Sequence, residues 1–196
     1  IILPNETAYL LNQFDTNIYP TDTKYFGVPD YRNGSGALLP SLLGLPSDYY
    51  TEPTGRNVIL VENIRDQNYY QPTYPYYVAG FFSSAFGDVY FHRNIITIDS
   101  WRWERRIGPA GTQWISGVTV NRPFVYESTI AHEYQHLIHH DYNPADPSFM
   151  NEGLSMYAEV LCGYGIDPSY INSYLYTPDN SLTEWGDQGD INILAD

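Results

Sequence analysis

The sequence predicts an α+β fold, with a mixed β-sheet in its N-terminal part, one central helix and a helical C-terminal part. Three observations lead there. Short apolar runs bounded by Gly, Pro and Asn fall at Asn57–Ile64, Tyr77–Ser84 and Asn94–Asp99, which suits strands. The longer stretch from Phe124 to about Asp141 reads as a helix, and Asn143-Pro144 ends it. A second helical pattern then begins near Ser148, which can cap it. With 196 residues, the chain can bury a single core. It divides into an N-terminal lobe with the central helix, residues 1–141, and the start of a helical lobe, residues 142–196.

In chain order, Asn5 or Thr7 is expected to cap a first helix with Tyr9, Leu10, Leu11 and Phe14 as its apolar stripe. Tyr19-Pro20-Thr21-Asp22 should break it, and Phe26-Gly27 opens a loop. Residues 28–55 read as loop, with a helical turn near Leu38–Leu43. In the second strand run, Gly80 marks a place where another element approaches closely. Gly80, Phe81 and Phe82 read either as an edge strand that could pair with an extended ligand or as an interior strand. Trp101 to Thr119 carries Arg102, Arg105 and Arg106 and then a Gly/Pro loop. Salt bridges to nearby carboxylates are the expected fate of these arginines and of Arg93 and Arg122. Gly163 and Gly165 are C-cap positions.

Composition narrows the function classes. Asp and Glu number 23 against 9 Lys and Arg, a net charge of −14, which argues against nucleic acid and anionic membrane surfaces as partners. No run is long and apolar enough to span a membrane. The single cysteine, Cys162, excludes an internal disulfide and sits in an apolar run that predicts burial. Twenty tyrosines and almost no lysine suit a rigid extracellular protein. The opening Ile1-Ile2-Leu3-Pro4 and the apolar end Ile191–Asp196 are read as the limits of a piece trimmed from a longer protein.

The chemistry concentrates in Ala131-His132-Glu133-Tyr134-Gln135-His136. On a helix, side chains four apart share a face with about 5–6 Å between Cβ atoms. His132 and His136 can therefore aim two imidazole nitrogens at one zinc ion, accepted at about 2.0–2.1 Å. Glu133, one position on, can handle the proton of a water at the metal's open position. Two surface histidines beside a solvated glutamate would give the same five letters. The apolar neighbours Ile130, Leu137 and Ile138 argue instead for a packed helix, where polar groups need a reason to be buried.

Such a site needs a third protein ligand. The continuation H-x-x-G-x-x-H fails, since His139 and Tyr142 occupy the glycine and third-histidine positions. His139 competes for the role, but it lies roughly 10 Å along the helix axis from His132, so three such ligands cannot readily surround one ion. Glu152, in the first turn of the next helix, approaches from another direction and is the expected third ligand.

H-E-x-x-H followed by Asn151-Glu152-Gly153-Leu154-Ser155-Met156-Tyr157-Ala158-Glu159 resembles the glutamate-zincin (gluzincin) metallopeptidases. The downstream half is similar to the N-E-G segment of aminopeptidase-N-like enzymes. His132 to Ile138 more closely resembles the hyicolysin-like and immune-inhibitor-A-like secreted proteases. The likeness is specific over His132–Glu159 and fainter upstream, where Phe14–Gly27 is similar to their opening helix. It implies a zincin-like metallopeptidase fold, zinc on His132, His136 and Glu152, Glu133 as catalytic base, a protein or peptide substrate, and secretion of a monomer. Two departures stand out. Sixteen positions separate His136 from Glu152, fewer than in thermolysin or aminopeptidase N, so the connection must be tight. Met156 stands where thermolysin-like enzymes place an aspartate.

The resemblance further implies a tyrosine or histidine that stabilises the oxyanion. No histidine follows His140, which leaves Tyr164, with Tyr170 and Tyr174 as alternatives and Tyr157 as a fourth. Asn151 and Glu159 are candidates to orient the ligands from behind. Asp179, Asp187 and Asp190 could collect a Ca2+ ion. No G-x-M-E-N amine-recognition segment is present, so an endopeptidase is favoured over an aminopeptidase. A hydrolase of non-peptide amides and a non-catalytic, metal-stabilised binding domain are the rival readings.

Overall fold

The computed structural model of the chain describes residues 2–74, 76–115, 118–165, 168–176, 178–179, 181 and 183. The fold is α+β. Helix α1 spans Pro4–Gln13, α2 Tyr19–Phe26, α3 Leu39–Leu43, and strand β1 Val58–Glu62. Then come α4 Gln67–Tyr70, β2 Gly80–Phe82, β3 Ile95–Asp99, α5 Trp103–Arg106, β4 Thr112–Ile115 and β5 Val118–Asn121. Helices α6 Val125–Tyr142, α7 Ser148–Leu161 and α8 Pro168–Tyr176 complete the described chain.

The opening helix does not break at Pro20. A π-helical turn, Phe14–Ile18, joins α1 to α2, and the Tyr19 N–H reaches back to the Phe14 carbonyl. Proline lacks an N–H and crowds the carbonyl one turn earlier, and the wider turn absorbs both defects. The helix also starts earlier than expected: Pro4 takes a first-turn position, and the Glu6 carboxylate accepts the Leu3 N–H at 2.7 Å. Leu10, Phe14 and Ile18 form the buried stripe, while Leu11 is exposed.

The main sheet is mixed, as expected, in the order β1-β3-β2. Strands β1 and β3 are parallel, β2 and β3 antiparallel, and the central β3 is buried along its whole length. β2 is therefore an edge strand. The predicted run Tyr77–Ser84 contracts to three residues because the chain turns into a π-helical segment, Ala85–Tyr90. β4 and β5 form an antiparallel pair within what reads as loop in the sequence. Of the arginines, Arg93 and Arg105 face carboxylates as expected, Glu52 and Glu104, each at 3.8 Å, whereas Arg102 and Arg106 pack on aromatic rings. Arg106 is buried, with its guanidinium 3.6 Å from the Tyr77 ring and 4.5 Å from Trp101, and Arg102 lies over Trp101.

Helix α6 runs under the sheet. Ile130, Ala131, Tyr134, Leu137 and Ile138 are buried in one core with Ile96, Ile98, Phe14, Ile18 and, from the end of α7, Cys162. Each fully buried large aliphatic of this set contributes about 1.5–3 kcal/mol. Pro147, not Ser148, precedes the first residue of α7. Among the described residues, no helix is long and apolar enough to cross a membrane.

Candidate metal centre

His132 and His136 occupy adjacent turns of α6 and present their Nε2 atoms to one carboxylate oxygen. Each Nε2 lies 3.3 Å from Oε2 of Glu152, which stands in the second turn of α7 and not in the first as expected, because the helix already begins at Ser148. The short turn between the helices brings this about: Asp146 N–H donates to the Asn143 carbonyl at 3.2 Å, with Pro144 between them. A tetrahedral site with bonds of about 2.05 Å has edges of about 3.3 Å, so the two histidine–glutamate separations match such edges, and the three side chains form a group that could hold a metal ion. Among the described residues, no other set of three or more His, Cys, Asp or Glu side chains is grouped closely enough to share a metal.

The opposite face of each imidazole is engaged. Glu159, two turns along α7 from Glu152, accepts from His132 Nδ1 at 3.0 Å. Asn151 Oδ1 lies 3.0 Å from His136 Nδ1, and Ser155 Oγ lies 2.9 Å from the same atom. A carboxylate can only accept, so His132 donates from Nδ1, and once the ring gives up its second proton the Nε2 lone pair is the one offered to a metal. Ser155 also donates to the buried Gln135 side chain.

Electrostatics reinforce the geometry. Burial opposes a charge on His132, yet Glu152 and Glu159 outweigh it and hold that imidazole up to about 10. Burial likewise opposes charge on Glu152, but the two histidines pull its carboxyl well below the usual range. In the metal-free chain a proton thus sits where a cation would, and metal binding would release it.

Glu133 is buried beside this cluster, and burial raises its carboxyl above the ordinary value. The Phe82 N–H donates to its Oε2 at 2.8 Å, so the edge strand fixes its orientation. Gly80 makes that approach possible: a Cβ there would stand 2.6 Å from Thr129 Cγ2 and 2.8 Å from the Thr97 carbonyl. The cleft has a volume of about 380 Å³. Gly80, Phe81 and Phe82 line it opposite His132, Glu133, His136, His139 and His140 of α6; Asn151 and Glu152 complete it, and Asn143, Pro144 and Asp146 close one end.

Not every expected residue comes to this cleft. The Tyr164 hydroxyl donates to Gln13 Oε1 at 3.1 Å and accepts from Asn17 Nδ2 at 3.2 Å, which staples the end of α7 to the opening helix. Gly163 and Gly165, both at φ 83°, turn the chain back so that this happens. Tyr157 is exposed and Tyr174 half-buried on α8, neither lining the cleft. The Tyr170 side chain, Asp187 and Asp190 lie outside the described residues, and Asp179 is exposed. His139 turns away from the ligand cluster, with Nε2 3.4 Å from Asp146 Oδ2.

Two further features escape the sequence reading. Ser155 falls between Asn151 and Glu159 at spacing four, a polar row on one helix face that periodicity could have revealed. His140 lines the cleft with Nε2 2.8 Å from Asp88 Oδ2; Asp88 in turn pairs with the buried Arg32, which also binds Asp141 and Asn94. No family model, curated protein or solved structure matches the chain.

Proposed function

We propose that this chain is a zinc-dependent peptidase of the gluzincin type, with a zincin-like fold, cutting internal bonds of a protein or peptide. The observation that carries the reading is the pair of 3.3 Å separations from the two histidine Nε2 atoms to one Glu152 oxygen, with Glu133 oriented alongside. Zinc bound by His132, His136 and Glu152 would act as a Lewis acid and lower the pKa of its water to about 7.

The chain's own residues have distinct tasks. Glu133 takes a proton from the attacking water and delivers it to the leaving amine. Burial raises its affinity for that proton, and the Phe82 N–H keeps one carboxylate oxygen fixed while the other serves the transfer. Glu159, Asn151 and Ser155 hold the imidazoles in the tautomer that ligation needs. The free edge of β2 is the place for an extended peptide to add as a strand.

Three protein ligands leave a fourth position for water, which favours a catalytic over a purely structural metal. The absence of a G-x-M-E-N amine-recognition segment in the sequence favours an endopeptidase over an aminopeptidase. Acidic, lysine-poor composition suits a secreted protein. Substituting Glu133→Gln tests the core of the reading: zinc content and fold should persist, while turnover of casein or a fluorogenic peptide drops about 10²–10⁴-fold. Wild-type proteolysis by a zinc-loaded Glu133→Gln protein would refute it, and hydrolysis confined to small non-peptide amides would favour the rival hydrolase.

A further inference from the structure

We infer that the end of the cleft formed by the α6–α7 turn is a subsite for a basic side chain, a lysine or arginine, with Asp146 as its ionic partner. The inference deepens the peptidase reading and rests on it. Along α6, the cleft extends from His136 to Asn143, about 10 Å of helix axis. An extended peptide advances about 3.3 Å per residue, so this end receives a side chain about two or three residues from the cut bond.

Three carboxylates line the cleft. Glu152 and Glu133 belong to the metal centre, which leaves Asp146, with its side chain 41% exposed. Its carboxylate faces the His139 imidazole, with Nε2 3.4 Å from Oδ2. That imidazole is itself 6% exposed, and among the described residues its Nε2 has no hydrogen-bond partner. The turn anchors the Asp146 backbone through its own N–H, and Pro144 stiffens the loop, so the residue is presented at the cleft end before any ligand arrives. Among the described residues, no lysine or arginine lines the cleft to neutralise it. An ammonium or guanidinium is the group that completes this arrangement, and the chain's net charge of −14 would draw basic peptides toward it.

The test uses the zinc-loaded chain and fluorogenic peptides of one frame, with Lys, norleucine or Glu placed in turn at each of the first three positions on either side of the cleaved bond. At one position, on one side, kcat/KM for Lys should exceed that for norleucine by about fivefold, and the ratio should shrink in about 1 M salt, where the screening length is about 3 Å. Asp146→Asn should bring the ratio to about one, and Asp146→Lys should turn the preference toward Glu. A ratio near one at every position, or one that Asp146→Asn leaves intact, would overturn the subsite. If the zinc-loaded chain cuts none of the peptides, the peptidase reading fails by itself. The subsite is then judged by fluorescence anisotropy of the same peptides on zinc-loaded Glu133→Gln protein. The same Lys preference and the same dependence on Asp146 are expected there, and their absence overturns it.

Discussion

Two carboxyl groups sit against the α6–α7 helix pair and meet opposite fates. Glu152 faces two imidazoles, which hold its carboxyl below the usual range despite burial. Asp22, fully buried on α2, faces the thiol of Cys162: Sγ lies 3.5 Å from its Oδ1, and its Oδ2 has no hydrogen-bond partner among the described residues. Burial raises Asp22 from 3.8 to about 7, which the thiol only partly offsets. The difference teaches that burial alone makes a carboxyl a neutral core group. Burial together with two ring nitrogens keeps it an anion, in a group that could hold a metal.

The largest expected effect breaks the first half of that contrast. Glu152→Ala should empty the metal site, weakening zinc by well over the roughly 10–100-fold that losing an outer partner costs. His139→Ala should stay loaded, because its imidazole is turned toward Asp146 and not toward the ligands. Zinc content after dialysis decides between them. An empty His139→Ala beside a loaded Glu152→Ala would mean that the ligand set is wrong.

Asp22→Asn addresses the second half. Because the folded pKa of Asp22 is raised, its stabilising contribution is complete below pH 3.8 and is lost as pH rises through about 7. An asparagine keeps an oxygen for the Cys162 thiol and never ionises. The variant should therefore gain about 2–4 kcal/mol over the parent at pH 8 and nothing near pH 3.5. Denaturant unfolding at the two pH values measures this. An equal gain at both would show that the Asp22 carboxyl does not titrate in this window.

How far each half could be read from the sequence differs for the same physical reasons. The ligands are legible because helical spacing places His132 and His136 on one face and Pro144 forces a turn that returns Glu152. The strands β1 and β3 announce themselves as apolar runs, whereas the short β4 and β5 do not. The π-turn before Pro20 has no signature beyond the proline itself, so the opening reads as a break. Asp22 with Cys162, and His140 with Asp88 and Arg32, are legible from no spacing at all. Their partners stand far apart in the chain, and only the packing of α2 on α7, or of the residue 28–38 loop on α6, brings them together. Tyr164 shows the converse error: a tyrosine downstream of the ligands is easily counted toward the cleft, but two glycines with positive φ send it to the opening helix.

The smallest expected effects separate the two histidines. His132 Nδ1 has one outer partner, the Glu159 carboxylate at 3.0 Å, whereas His136 Nδ1 has two, Asn151 and Ser155. Glu159→Ala frees the His132 ring and removes an anion that raises its basicity, so zinc affinity should fall about 10–100-fold. Glu159→Gln keeps an oxygen that can accept from Nδ1 and loses only the charge, so it should fall less. Asn151→Ala leaves the Ser155 hydroxyl to hold the ring, so its loss should be smaller than that of Glu159→Ala, and the double variant with Ser155→Ala should restore the larger one. Competition for zinc against a chelator ranks the four proteins. If Asn151→Ala matches Glu159→Ala, Ser155 does not support His136, and the polar row on α7 orients its ligands through Asn151 and Glu159 alone.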